Sequence, residues 1–185
     1  HALSRPLDVS KYGILIAGSQ KNIGPAGMAI VIIRDDLMGE ESTELPTLMD
    51  YAHMAATQSM SNTPPTFSWY MAGLIFKWIK KQGGLEAMEQ NAIARSSKLY
   101  QAIDASDFYT NPVDDRYRSR MNVTFTLADD SLEGAFLKGS EGAGLVALKG
   151  HRSVGGMRAS IYNAMPLAGI DALVEFMQDF EKRNG

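Results

Sequence analysis

The chain has 185 residues and no cysteine, and 45% of its residues are hydrophobic and 21% charged. This length and composition fit one ordinary domain, or a small domain with part of another, and exclude a globally disordered chain. The absence of cysteine excludes disulfides, thiolate metal sites and a cysteine nucleophile, and it fits a cytoplasmic protein. The 18 basic and 21 acidic residues argue against a general nucleic-acid binder but allow a local anion site.

No apolar run approaches the roughly 18 residues of a membrane span, so we expect no membrane partner. The first residues, 1–6, lack the apolar stretch of a signal peptide. Because the first residue is not methionine, we expect the chain to start partway into a longer protein.

Two apolar runs at the front of the chain, 13–17 and 28–33, predict β-strands. Both runs are continuous rather than alternating, which is typical of strands buried on both faces of a sheet. Such strands need neighbours and covering helices, so we expect residues 1–84 to be part of a larger α/β domain. A long loop is predicted over 39–61.

A helix is predicted to start near Pro64, with Thr63 as its cap, and to stop at Gly83-Gly84, our predicted domain boundary. Its apolar residues recur at helical spacing and are expected to face inward: Trp69, Ala72, Phe76 and Ile79.

The residues after this boundary, 85–185, predict a small α+β domain. In chain order we expect a helix over 85–103, an alternating strand over 121–127, a helix over 132–138, strands over 145–148 and 157–162, and a final helix opened by Pro166. Arg116, Arg118 and Arg120 alternate, which predicts one solvated face of a strand edge.

Lys21 follows the first predicted strand in a glycine-containing stretch, 17–27. Ligands in open α/β sheets bind outside the carboxyl ends of strands, and a lysine there can attack a carbonyl group through its neutral amine. On its own, this lysine fits an ordinary solvated side chain better.

Two further groups of residues could bind anions. Asn62 and Thr63 precede a helix whose amide groups and dipole suit phosphate, although most such residues are only caps. The segment 149–158 carries Lys149, His151, Arg152 and Arg158 among three glycines, which fits an anion site or a charged turn equally well. The three histidines lack metal-ligand spacing.

The chain closely resembles the phosphoserine aminotransferase family, which are class V, fold type I enzymes that use pyridoxal 5′-phosphate. Five separated motifs carry the resemblance: 4–6, 17–27, 62–67, 118–123 and 150–166. The resemblance spans the whole chain but only about the second half of the family's length. It implies the end of a large α/β cofactor-binding domain with a mixed, mainly parallel sheet (1–84), followed by a small C-terminal α+β domain (85–185).

The resemblance also implies a role for each motif. Lys21 matches the catalytic lysine that holds the cofactor and moves a proton at the substrate α-carbon, with Gln20 near the cofactor phosphate. Asn62 and Thr63 match a pair that reaches the cofactor phosphate of the other subunit in a homodimer with shared active sites. His151 and Arg152 match residues that bind the substrate phosphate, and Arg158 matches the arginine that binds the α-carboxylate.

The implied substrates are O-phospho-L-serine with 2-oxoglutarate, and 3-phosphohydroxypyruvate with L-glutamate, in serine biosynthesis and, in some members, pyridoxine biosynthesis. Two residues depart from the family pattern: Ser19 stands where alanine is expected and Ile16 where tyrosine is expected. The family's ring-stacking aromatic, its pyridine-nitrogen aspartate, its main phosphate-binding glycine segment and a further substrate arginine all belong to the upstream half. We therefore expect little activity from these 185 residues alone.

Two alternatives stay open from the sequence. A truncated product could keep an interaction surface without catalysing a reaction. Another fold type I enzyme could use the same lysine, although His151 and Arg152 favour a phosphorylated substrate.

Overall fold

A computed structural model of the chain describes residues 1–40 and 44–185. The chain divides into two units, His1–Glu86 and Ala87–Gly185. The predicted boundary after Gly84 lies two residues before this division. The assignment of the two units to a large and a small aminotransferase domain stays a prediction.

The first unit begins with an antiparallel hairpin of β1 (Ile14–Gly18) and β2 (Ala29–Ile33), in which Ile14 pairs with Ile33. Both predicted strands are therefore present. The prediction that they are buried on both faces is wrong for this chain, since Ile16 is 67% exposed. A two-stranded ribbon cannot cover both of its own faces, and within residues 1–40 and 44–185 no third strand pairs with this hairpin.

The expected mainly parallel sheet is not found in the described part of the chain. Every strand pair in the described residues is antiparallel. The α/β class itself is confirmed, because helices and strands are both present in each unit.

The predicted loop over 39–61 contains a short helix, α1 (Tyr51–Ala56), and its residues 41–43 lie outside the described residues. Asp50 caps α1, because its carboxylate accepts hydrogen bonds from the backbone N–H groups of Ala52 and His53.

The main helix of the first unit is α2 (Thr66–Lys81). The predicted start at Pro64 with a Thr63 cap is wrong, because a residue before proline is disfavoured in the helical conformation and Pro64 precedes Pro65. The helix ends before Gly83, as predicted. Of its predicted inward-facing residues, Ala72 and Ile79 are buried, whereas Trp69 and Phe76 remain partly exposed.

The second unit is built on an antiparallel sheet in the order β3 (Tyr109–Thr110), β4 (Asn122–Leu127) and β5 (Met157–Ser160). The predicted alternation in β4 is confirmed, since every second residue is buried. The predicted strand over 145–148 is absent, and only a single bridge joins Lys149 to Met157.

Three helices supply the rest of this unit: α3 (Gly84–Asp104), α4 (Glu133–Gly142) and α5 (Leu167–Asn184). Their buried residues join those of the sheet in one core. At its centre the ring of Phe136 meets those of Phe125 and Phe180 edge-on, with centroids 5.9 and 5.1 Å away. No helix in the described residues is long and apolar enough to cross a membrane.

Candidate functional site

Lys21 lies in the loop over 19–28 that connects β1 to β2, and its side chain is exposed. The loop is organised by Ser19, which is fully buried. The Ser19 backbone oxygen accepts hydrogen bonds from the N–H groups of Lys21 (2.7 Å) and Gly24 (2.8 Å). The backbone of Lys21 is therefore fixed, while the residue itself is exposed.

The same loop packs against α2. The Ser68 hydroxyl donates to the backbone oxygen of Ala26 at 2.9 Å. A Cβ atom on Gly24 would be in ordinary van der Waals contact with the Ile75 side chain, at 3.4 Å, so the loop lies directly against the helix. Sequence reasoning placed Lys21 at the end of a strand, and the structure adds that α2 supports the loop.

The amine of Lys21 has a partner that sequence reasoning missed. Its Nζ atom lies 3.3 Å from Nε2 of His1. The amide of Asn22, which is buried, donates to the backbone oxygen of Ala2 at 2.9 Å and fastens this segment to the loop. The only sequence signal was the histidine itself, 20 positions away, and a long-range contact of this kind has no local pattern.

The remaining predicted residues of the first unit, Gln20, Asn62 and Thr63, are all exposed. Gln20 is next to Lys21, and its side chain folds back over Gly18, where a Cβ atom would lie 2.5 Å from its Oε1. Asn62 and Thr63 lie just before α2, the helix on which the Lys21 loop packs. The first unit thus contains both the lysine loop and the N-terminus of α2, and the loop contacts this helix at Ser68.

In the second unit, Arg158 lies in β5 opposite Thr124 of β4. Its backbone N–H donates to Leu148 at 2.7 Å, which fixes its position in the sheet. Its Nε atom is buried and has no hydrogen-bond partner within the described residues. A buried guanidinium nitrogen without a partner fits an anionic ligand such as a carboxylate.

His151 and Arg152 lie in an exposed loop between Lys149 and β5. Three backbone hydrogen bonds close this loop: Gly150 to Gly156 at 2.8 Å, and Val154 and Gly155 to His151, both at 2.9 Å. The Nδ1 atom of His151 also lies 2.7 Å from the Ser153 hydroxyl. The backbone hydrogen bonds therefore hold the loop that carries the imidazole of His151 and the guanidinium of Arg152.

The segment after β5 is held by Arg95, a buried residue of α3. Its Nη1 donates to the backbone oxygen of Met165 at 3.1 Å. Burial lowers the pKa of this guanidinium, which stays charged because an arginine's ordinary value is so high. Among the described residues, no group of three or more acidic, histidine or cysteine side chains could hold a metal ion.

Comparison with known proteins agrees with this arrangement. The family model for aminotransferase class-V matches residues 1–173. The chain belongs to the class V aminotransferase family. The phosphoserine aminotransferase of Aromatoleum aromaticum is 60% identical to it over 185 residues, which are 100% of this chain and 50% of that protein. This chain therefore spans about half the length of the curated relatives it matches.

Solved structures give the same result. The phosphoserine aminotransferase of Bacillus circulans subsp. alkalophilus has a TM-score of 0.96 and 48% identity, covering 100% of this chain and 51% of that one. The enzyme of Trichomonas vaginalis, solved with bound PLP, has a TM-score of 0.88 and 42% identity, covering 95% of this chain and 50% of that one. The fold described above is thus the fold of half an aminotransferase chain.

Proposed function

We propose that this chain forms the C-terminal half of a phosphoserine aminotransferase. The enzyme would reversibly transfer the amino group of O-phospho-L-serine to 2-oxoglutarate, which gives 3-phosphohydroxypyruvate and L-glutamate. We place this reaction in the cytoplasm, where it would serve serine biosynthesis and also pyridoxine biosynthesis. The observation that carries the proposal is the exposed Lys21 amine on a loop whose backbone is fixed by buried Ser19 and by α2.

Pyridoxal 5′-phosphate is the cofactor we propose, and the residues present fit it. Lys21 offers a primary amine that can hold the cofactor covalently. Gln20 offers a polar side chain next to Lys21, and Asn62 and Thr63 offer theirs just before the N-terminus of α2, which suits a phosphate group. When bound, the cofactor supplies an electron sink for the charge that develops at the substrate α-carbon.

Each candidate site residue of the chain would then have a separate role. Lys21 Nζ takes a proton from the substrate α-carbon and returns it, which requires the fixed backbone described above. Arg158 holds the α-carboxylate that all four substrates carry, and its unpartnered Nε favours such an anion. His151 and Arg152 bind the distal phosphate or carboxylate. Following the family, we propose that Asn62, Thr63, His151 and Arg152 serve the partner subunit's site in a homodimer.

A non-catalytic role is the second candidate for the 185 residues by themselves. It is favoured by the exposed apolar face of the hairpin, including Ile16 at 67% exposure. In that case the chain would keep its fold without binding the cofactor.

The proposed function is tested in a protein of the family's full length that carries this chain. Lys21→Ala should abolish amino transfer, because it removes the amine that we propose holds the cofactor. Arg152→Ala should lower kcat/KM for phosphoserine more than for glutamate, because only phosphoserine presents a phosphate. Arg116→Ala, which removes an exposed arginine paired with Asp114, is the control and should change neither value. Substantial turnover without Lys21, or equal losses for both substrates, would contradict these assignments.

A further inference from the structure

His1 is fixed beside the lysine loop by several contacts. The Ser4 hydroxyl donates to the backbone oxygen of His1 at 2.7 Å, closing a turn over residues 1–4. Leu3 in this turn has φ +61°, a conformation that side-chain-bearing residues seldom adopt unless their surroundings impose it. The buried Asn22 amide then ties Ala2 to the loop. The imidazole therefore reaches Lys21 from an ordered turn.

We propose that His1 is a positioning residue for Lys21: its imidazole Nε2, 3.3 Å from Nζ, accepts a hydrogen bond from the lysine and directs the amine. Nothing in the family resemblance assigned this residue. The inference rests on the proposed function for its importance in catalysis, because that function makes Lys21 the reacting amine.

The chemistry of the two groups favours a hydrogen bond over proton transfer. An ordinary lysine holds its proton far more tightly than an ordinary imidazole, so the shared proton stays on Nζ and the neutral imidazole acts as the acceptor. A protonated imidazole has no acceptor nitrogen and carries a like charge. The hydrogen bond can therefore form only while the imidazole of His1 is neutral.

The elements next to this pair carry the following charged groups. Lys21 is the only titratable residue of the loop over 19–28, and the turn over residues 1–6 adds Arg5. The charged residues of α2, Lys77, Lys80 and Lys81, all lie in its C-terminal half, away from the end that meets the loop at Ser68. The imidazole of His1 is therefore the group to vary in a test of this contact.

The test measures how fast the Lys21 amine reacts with trace acetic anhydride between pH 5 and pH 9, read by peptide mass spectrometry. Above the titration of the imidazole, His1→Ala should label Lys21 roughly two- to threefold faster than the wild type, the size expected for one exposed hydrogen bond. Below that titration the ratio should fall to one or less. A purely structural role would change the labelling without this dependence on pH.

Matched variants keep the result interpretable. His1→Gln retains an acceptor without a titrating ring, so its labelling ratio to the wild type should stay flat with pH. His53→Gln, which alters a histidine bonded to Ser61 instead, should leave Lys21 unchanged. The labelling of Lys77 in the same digest reports whether the fold is intact.

A His1→Ala ratio of one at every pH would overturn the inference. The test needs no cofactor, so its outcome is independent of whether Lys21 binds pyridoxal 5′-phosphate. A ratio that changes with pH, together with no cofactor adduct, would contradict the proposed function and leave the contact standing.

Discussion

The hydroxyl of Ser19 donates a hydrogen bond to the backbone oxygen of Pro25 across the base of the lysine loop, at 2.5 Å. The backbone oxygen of Ser19 also accepts hydrogen bonds from the N–H groups of Lys21 and Gly24. The Ser19 N–H donates to the backbone oxygen of Met28. One buried residue thus braces both sides of the loop. The resemblance to the family leads us to expect alanine at this position, and alanine could not make the hydroxyl's hydrogen bond.

Replacing Ser19 with alanine should loosen the lysine loop without unfolding the chain. The variant loses one buried hydrogen bond, worth about 1 kcal/mol, and keeps the backbone bonds. We expect amide hydrogen exchange in residues 19–28 to accelerate roughly fivefold, the change that about 1 kcal/mol of local opening produces. Exchange in β4, in the other unit, serves as the reference. Unchanged exchange in the loop would show that the Ser19 hydroxyl does not brace it.

Replacing Gly150 with alanine should disrupt the loop that presents His151 and Arg152. A Cβ atom on Gly150 would lie 2.0 Å from the backbone oxygen of Gly155, which cannot move without breaking the loop's closure. We expect faster hydrogen exchange across 149–156. Gly134→Ala in α4 is the matched control, because nothing lies within 4 Å of its added methyl group and alanine favours helix. Exchange as slow in Gly150→Ala as in the control would contradict this account of the loop.

Replacing Tyr109 with phenylalanine should have an effect that depends on pH. Its buried hydroxyl donates to Met177 at 2.8 Å, and burial raises the pKa of this phenol well above its ordinary value. The contribution of this raised pKa to the free energy of unfolding is fully present below about pH 10. It is lost above that pH, because the phenol releases its proton in the unfolded chain and keeps it in the folded one.

At pH 8 the Tyr109→Phe variant should therefore have a free energy of unfolding about 1 kcal/mol below that of the wild type. The difference in the free energy of unfolding should be smaller at pH 10.5. At that pH the wild type is destabilised because its unfolded Tyr109 phenol releases a proton, whereas the variant has no phenol at this position. Urea unfolding followed by circular dichroism at both pH values measures this difference. Tyr117→Phe, at a 74% exposed site, should show neither effect. A gap of equal size at the two pH values would count against the proposed linkage.

The sequence predicted the elements that have strong local patterns. The alternating residues of β4 and the long apolar face opened by Pro166 both lie where expected, because burial on one face leaves a regular period in the sequence. The two-residue strand β3 is too short to leave such a pattern.

The errors came from interactions that a local pattern does not contain. Arg118 was expected on a solvated strand edge, but its guanidinium stacks on Tyr100 at 4.8 Å and pairs with Asp104, fourteen residues away. Continuous apolar runs indicated strands buried on both faces, whereas burial depends on layers that a hairpin alone does not provide. In the candidate site, Lys21 and Arg158 were predicted from their strands, while the support from His1, Ser19 and α2 emerged only in three dimensions.

Lys21 is the residue that we propose holds the cofactor of an aminotransferase. The most direct measurement incubates a protein of the family's full length that carries this chain with pyridoxal 5′-phosphate, reduces it with borohydride and maps the modified peptide by mass spectrometry. We expect a single adduct on Lys21, which disappears in Lys21→Ala and persists in Lys77→Ala. An adduct on another lysine with Lys21 unmodified would contradict it.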